Sequence, residues 1–459
     1  MTNLKNWLTL FVMLNVLVAC SSNINKSIES TSLSSINTTP AIMPFTVVPD
    51  PRDAVIYQVN IRTFSQQGNF KGVEARLDNI KALGVNVIYL MPIYPIGKLK
   101  GINSPYSITD YQGINPEFGS LADLRSLVQS AHERKLAVIM DFIPNHTAWD
   151  HPWVTNYPAW YVKTDQGKLV NPHGWGDVVQ LDFTHQAMRQ SLIDAMKYWV
   201  FNANIDGFRF DYSDGPTVDF WYQAVAELRA INNHKLLLLA EGSRNENFQA
   251  GVDYNFGFGF FDRLKEVFHG EPASIIDTWQ AQENALSKDN QRVIRYTTNH
   301  DVNGAEGTPE QVFGNHQAAM TAFVIAAYIR STPMIYNGQE IALAYSLKFP
   351  FTNEDINWQA NDTVLSEYTK LIALFNQHEA LRRGSLVTYS SVDAVAFTRE
   401  TADETIMVLA NPRAHSVDYE LADNIKNTQW QDLIHKQKIN LASKIKLMPH
   451  SYRVLVKTL

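Results

Sequence analysis

From Ala54 onward the chain alternates compact apolar runs with stretches whose apolar residues recur every three or four positions. Val55 to Ile61 reads as a first strand, and Val73, Leu77 and Ile80 then recur at helical spacing. Val85 to Leu90 follows Gly84 as a second strand. Ser120 with Asp123 predicts a capping box, ahead of a helix whose face carries Leu124, Leu127, Val128 and Ala131. Leu136 to Ile143 is a third strand. Met188, Leu192, Ala195 and Trp199 mark the next helix, Gly207 to Asp211 a fourth strand and Leu236 to Ala240 a fifth. A sixth is expected near Val252, and Val293 to Thr298 and Pro333 to Tyr336 supply two more. Strands alternating with helices imply parallel βαβ units. Eight of them fit an α/β fold of closed (β/α)8 TIM-barrel type over residues 51–383, with a short insertion after the third strand at 147–180. The alternative is an open doubly wound sheet, but no glycine-rich phosphate fingerprint follows the first strand. Past Arg383 the pattern changes to short β-like runs, among them Leu386 to Phe397, Thr405 to Ala410 and Tyr452 to Val456. These predict a C-terminal β-sandwich domain over 384–459.

Composition narrows the function classes. Of 459 residues, 45% are hydrophobic and 19% charged, which is globular and excludes disorder or a collagen-like chain. The net charge of -7, with no lysine- and arginine-rich block, argues against nucleic acid as a partner. A single cysteine excludes a disulfide framework and a cysteine-based zinc site.

In a barrel, chemistry sits at the C-terminal ends of the strands. The third strand runs out through Asp141, Asn145 and His146, the fourth ends at Arg209 and Asp211, the fifth at Glu241, and a later one at Asn299, His300 and Asp301. Side chains alternate along a strand. Arg209 and Asp211 therefore share one face, and Phe208 and Phe210 pack outward under the helices. A guanidinium beside Asp211 favours the ionised carboxylate that a nucleophile needs. Glu241, from the next strand, is the candidate partner acid and needs an environment that keeps its proton. Two carboxyls in such roles describe a retaining glycosidase. Each piece alone is commonplace: Arg-x-Asp is often a structural ion pair, and Asn-His-Asp a turn. Their joint occurrence, in order and at strand ends, carries the reading.

These segments resemble the α-amylase family, glycoside hydrolase family thirteen. Asp141 to His146 is similar to its first signature, Gly207 to Asp211 to the second, Glu241 to the third and Asn299 to Asp301 to the fourth. Val179 to Phe183, Thr332 to Glu340, and Pro105 to Tyr111 followed by Phe118 and Gly119 resemble three shorter family motifs. The resemblance implies that Asp211 is the nucleophile, that Glu241 is the acid and then the base, and that Asp301 binds sugar hydroxyls and favours the distorted ring. It implies that His146 and His300 hydrogen-bond the sugar in the cleavage subsite, that Arg209 positions Asp211, and that Tyr106 stacks beneath the same sugar. The implied substrate is an α-glucan or maltooligosaccharide cut at α-1,4 links. An α-glucosidase or transglycosylase with the same machinery, and a glucan-binding lipoprotein without catalysis, remain as alternatives. No cofactor is required for the glycosyl chemistry. Asn145 and Asp182 match family calcium ligands, but the family's histidine after the second signature is absent, because Tyr212 to Pro216 follow Asp211. In the insertion, Trp149, Trp153, Trp160, Tyr161 and Trp175 suit either sugar stacking or a local core, with Trp175 between two glycines the one expected to be exposed.

The N-terminal segment has its own logic. Lys5 precedes an apolar run from Leu8 to Ala19 that is too short to span a bilayer. It meets Cys20, the only cysteine, in a pattern that resembles a bacterial lipoprotein signal. The expectation is a signal peptide over 1–19, a lipid on Cys20 and a Ser/Thr-rich flexible tether over 20–50. The protein would then be extracytoplasmic and membrane-anchored, at the outer membrane if the host has one.

Overall fold

A computed structural model of the chain describes residues 43–458 except 353 and 360. The expected signal peptide, Cys20 and most of the expected tether lie outside the described residues.

Eight parallel strands close into a barrel: β1 (Ile56–Val59), β2 (Val87–Leu90), β3 (Ala137–Phe142), β4 (Gly207–Phe210), β5 (Leu237–Ala240), β6 (Tyr254–Phe256), β7 (Arg292–Arg295) and β8 (Thr332–Tyr336). Each strand neighbours the next in sequence, and β1 closes the ring between β2 and β8. The strands are buried on both faces, which is why they read as continuous apolar runs rather than alternating ones. The sixth strand lies at Tyr254–Phe256, two residues beyond its expected position; at three residues, and stopped by Gly257, it is too short to give a period.

The helix Leu121–Glu133 starts with the capping box read from the sequence. Ser120 Oγ accepts from the Asp123 amide, and Asp123 returns a bond to the Ser120 amide at 2.9 Å. Such a cap stabilises a helix by about 1 kcal/mol. Leu124, Leu127, Val128 and Ala131 are its buried face. Val73, Leu77 and Ile80 do not share one helix. Two short helices, Phe70–Glu74 and Leu77–Ala82, meet at Arg76, whose backbone leaves the helical region (φ -111°, ψ 11°) and whose guanidinium lies 4.0 Å over the Trp358 ring.

The C-terminal region is an antiparallel β domain. Its strands are β9 (Ser385–Thr388), β10 (Val395–Glu400), β11 (Glu404–Asn411), β12 (Val417–Glu420), β13 (Thr428–Asp432), β14 (Gln437–Leu441), β15 (Lys444–Leu447) and β16 (Ser451–Thr458). Six form one sheet in the order β9-β10-β11-β16-β13-β14, and β12 pairs with β15. An apolar core containing Met407, Leu409, Val417, Tyr419, Trp430 and Leu455 packs between the two sheets.

The barrel and this domain meet at the helix His316–Tyr328. From Ala318 to Tyr328 all its residues are buried, so it has no polar face. A helix apolar all round must be covered all round. One side packs on β8 and the other on β11 and β16. Thr321 Oγ1 donates to the His450 carbonyl at 2.8 Å, and buried Arg399 donates to the Tyr328 carbonyl at 3.1 Å.

The tether expected over 20–50 is shorter at its C-terminal end. Phe45 stacks on His132 at 4.1 Å, Asn204 Nδ2 donates to the Met43 carbonyl at 3.0 Å, and Val48 is buried against the barrel. One aromatic and one valine supply the apolar surface that the Ser/Thr-rich stretch before them lacks.

Candidate active site

The register of β3 and β4 sets Asp141 beside Arg209. Arg209 is completely buried and is the electrostatic centre of the site. Its Nη1 donates to Asp141 at 2.8 and 3.0 Å and to Asp211 Oδ1 at 2.9 Å, and its Nη2 forms an ion pair with Glu241 Oε1. On the other strand face Phe210 packs on Trp221 at 4.7 Å and Phe208 on Phe142 at 6.0 Å, the alternation read from the sequence. The Tyr212 amide donates to Glu241 Oε2 at 2.7 Å, so both Glu241 oxygens are held.

The walls come from other strand ends. Tyr106 lies in the loop after β2, and its hydroxyl is 2.7 Å from His300 Nε2 and 3.3 Å from Asp141 Oδ2. Gln58, on β1, places its amide nitrogen 2.8 Å from His300 Nδ1. Donation from that amide puts the ring proton of a neutral His300 on Nε2, where it meets the Tyr106 oxygen. Tyr89 donates to Asp141 Oδ2 at 2.7 Å. His300 Nε2 is 3.4 Å from Asp301 Oδ1.

Charge in this site is crowded: Asp141, Asp211, Glu241 and Asp301 gather around one guanidinium. Burial pushes the Glu241 carboxyl up, opposed chiefly by Arg209. Burial, then repulsion from Glu241, pushes Asp211 well above the usual carboxylate range. The pair therefore holds on to a proton more readily than exposed carboxyls do. Burial depresses His146 to about 4, and burial with the nearby Arg209 depresses His300 to about 3. Both imidazoles are neutral at pH 7 and act as hydrogen-bonding groups rather than cations.

A cavity of about 460 Å³ opens above this floor. It is lined by Asp211, Glu241, Asp301, Tyr106, His146 and His300, so the structure brings all of these sequence-derived candidates to one wall or another of one cleft, with Arg209 buried beneath. Trp175 also lines it, 39% exposed, with its ring edge-on to His146 at 5.6 Å and Tyr212 at 5.3 Å. Trp153, Trp160 and Tyr157 pack on one another instead, and Trp149 lies under Lys100. Gln58 and Tyr89 were not among the candidates. The signal was there for Gln58, a lone amide in the apolar first strand, but its partner is 242 positions away. Asp141 was legible as a strand-end carboxylate; its role as the anchor of Arg209 is visible only in the register.

The two calcium-ligand candidates do not join this cleft. Asn145 is buried, and its Oδ1 has no hydrogen-bond partner. It faces Gly215, where an added Cβ would come within 2.2 Å of that oxygen, so the glycine makes room for the Asn145 amide. Asp182 instead turns back on its own chain: Oδ1 accepts from the Thr184 amide at 2.9 Å and its hydroxyl at 2.8 Å. Among the described residues no group of three or more His, Cys, Asp and Glu is arranged to hold a metal. No step below is routed through a calcium ion.

The model of the α-amylase catalytic domain matches residues 35–180, and that of the maltogenic amylase C-terminal domain matches residues 387–454. Over these two stretches the chain is similar to the α-amylase family. It is 25% identical to α-amylase 2 of Dictyoglomus thermophilum, over 75% of this chain and 64% of the relative. It is 24% identical to α-amylase 3 of the same organism, over 88% of this chain and 93% of that one. The chain thus spans just under two thirds of the first relative and nearly all of the second. Among solved structures, a maltogenic α-amylase from Thermotoga neapolitana superimposes with a TM-score of 0.80, covering 90% of this chain and all of its own, at 23% identity.

Proposed function

We propose that the protein is a retaining glycoside hydrolase that cleaves α-1,4-glucosidic bonds of starch, glycogen or maltooligosaccharides. The observation that carries this reading is the sharing of Arg209. One guanidinium holds Asp211 through Nη1 and Glu241 through Nη2. Both carboxyls are thereby held on the wall of one cavity, next to each other and open to a sugar, as a glycosidase's nucleophile and acid must be.

In this mechanism Glu241 carries the pair's proton, which relieves the repulsion that raises Asp211, and the Asp211 carboxylate, held by Arg209, attacks the anomeric carbon. Glu241 gives its proton to the departing glycosidic oxygen, then takes one from the water that releases the sugar. Tyr106 offers its ring face to the sugar whose carbon is attacked. Neutral His146 and His300 hydrogen-bond its hydroxyls, and Asp301 stabilises the positive charge of the oxocarbenium-like transition state. The names of the curated relatives, both α-amylases, support the glucan substrate.

The test is a maltooligosaccharide series incubated with wild type and Glu241→Gln, following product length and anomeric form. The α-anomer should be released first, and loss of the acid should lower the rate by roughly 10²–10⁴-fold. Initial release of the β-anomer, or no cleavage of any length, overturns the proposal.

The lipoprotein-like signal supports a further part of the reading, that the enzyme is anchored outside the cytoplasm through a lipid on Cys20. Metabolic lipid labelling that is equal in wild type and Cys20→Ala overturns it.

A further inference from the structure

Among the described residues, Arg62 is a buried cation near the cleft mouth that the mechanism above leaves without a task. It lies in the short helix Ile61–Phe64 that leaves the end of β1. Because β1 sits between β8 and β2 in the barrel, that position lies between the loops that follow those two strands. The guanidinium joins them. Nη1 donates to the Asn103 carbonyl, in the loop after β2, at 2.8 Å and to the Pro350 carbonyl, in the loop after β8, at 2.9 Å. Nε and Nη2 meet Glu117 Oε1 at 2.9 and 2.7 Å, which supplies the countercharge. Backbone carbonyls are strong acceptors fixed to the chain, so each of these bonds positions a loop and not merely a side chain.

Both loops carry an apolar side chain over the cleft on either side of the staple. Ile102 is 56% exposed and Phe349 46% exposed, and both line the catalytic cavity. Asn103 sits in the left-handed region at φ 63°, which asparagine tolerates, but Phe351 sits there at φ 68°, which a bulky side chain adopts only when something holds it. Phe351 is buried against Phe349 at 5.7 Å and reaches the His300 ring at 6.3 Å.

The lips belong to one end of the cleft. Glu241 protonates the oxygen of the departing chain, so that chain leaves past Tyr212 and Gly242, which adjoin Glu241. The retained part of the substrate lies toward Tyr106 and His300, where Ile102 and Phe349 stand.

Resting on the glucan-hydrolase reading, we propose that Arg62 is a positioning residue. It holds the lips carrying Ile102 and Phe349 together, closes the retained-chain end of the cleft and so sets the length of the sugar released from that end.

The experiment compares wild type, Arg62→Met, Arg62→Lys and Phe349→Ala on end-labelled maltooligosaccharides of increasing length. Product lengths, kcat and KM are read separately, with a thermal melt to show that each variant is folded. Arg62→Met should shift the released fragments by one glucose unit or more toward longer products. It should raise KM for the shortest substrate about tenfold, with kcat on the longest within threefold of wild type. Arg62→Lys keeps the charge but not both carbonyl bonds and should shift products less. Phe349→Ala removes a lip without touching the staple and should shift product length in the same direction. A folded Arg62→Met that loses kcat equally on every length with an unchanged product pattern overturns the proposal. If Arg62→Met does not fold, unshifted products from Phe349→Ala overturn it. Failure of wild type to cleave any of these substrates overturns instead the functional reading on which it rests.

Discussion

Replacing Asp141 by asparagine tests the charge arrangement of the site without touching either proposed catalytic carboxyl. Asp141 is buried and accepts from Arg209 twice, from Tyr89 and from Tyr106. Asparagine keeps the shape but removes the charge and turns an NH2 group toward donors. Breaking one partner of a buried ion pair costs about 3–5 kcal/mol. Arg209 keeps Asp211 and Glu241 as partners, so the lower end, about 3 kcal/mol, applies. In a chain of this size that is a fall in Tm of roughly 3–4 °C. The more diagnostic effect is on titration. The Asp141 charge is among the causes that raise Asp211. Removing it, and leaving Arg209 with fewer carboxylates to serve, lowers the carboxyls that remain. The acidic limb of the kcat/KM profile reports protonation of the nucleophile, and the basic limb reports loss of the acid's proton. Both limbs therefore move to lower pH together. The assay is kcat/KM for maltoheptaose across pH, beside a thermal melt. A uniform drop in rate with both limbs in place refutes the view that Asp141 shares the field of Arg209 with the catalytic pair.

Three further outcomes follow from the same coordinates. His300 titrates at about 3 in the folded protein against about 6.5 unfolded, so its contribution to stability is full above pH 6.5 and is lost as pH falls toward 3. His300→Gln should flatten the acid slope of unfolding free energy by about one proton relative to wild type, and an unchanged slope in urea titrations would count against a buried neutral imidazole. Trp175→Ala removes a partly exposed ring from the cleft wall and should raise KM for oligosaccharides about tenfold, the equivalent of about 1.4 kcal/mol, with kcat little changed; unchanged affinity removes Trp175 from the substrate path. Because Asp182 Oδ1 is taken up by the Thr184 amide and hydroxyl, chelation should leave the melting curve in place, whereas a loss of stability restored by calcium but not by magnesium would show that Asn145 and Asp182 serve a calcium ion.

The parts of the site that were legible in sequence are those governed by local rules. Period-two alternation put Arg209 and Asp211 on one face and Phe208 and Phe210 on the other, and the barrel rule put Glu241, His300 and Asp301 at the same end. What was not legible depends on partners far along the chain. The contact of Gln58 with His300 and the bridging of Asn103 to Pro350 by Arg62 are set by barrel closure, which places β1 against β8. The break between two helices at Arg76 answers to Trp358, more than two hundred positions on, so the apolar spacing across it misled. In the C-terminal domain, β12 and β15 escaped notice for another reason. They are short and only partly buried, so their outward residues Asp418, Glu420, Lys444 and Lys446 gave the look of loops.

The helix His316–Tyr328 has a consequence in time as well as in space. The His450 carbonyl that accepts from its Thr321 hydroxyl lies 129 positions further along the chain. At the rate ribosomes add residues, about 5–20 per second, a helix with no polar face waits on the order of ten seconds for the strand that will cover it. During that interval the nascent barrel carries a sticky flank, and no rearrangement within the barrel hides it. A chain truncated before β16 stays in that condition permanently, so the C-terminal sheet serves as the closing step of the barrel's own synthesis rather than as a detachable appendage.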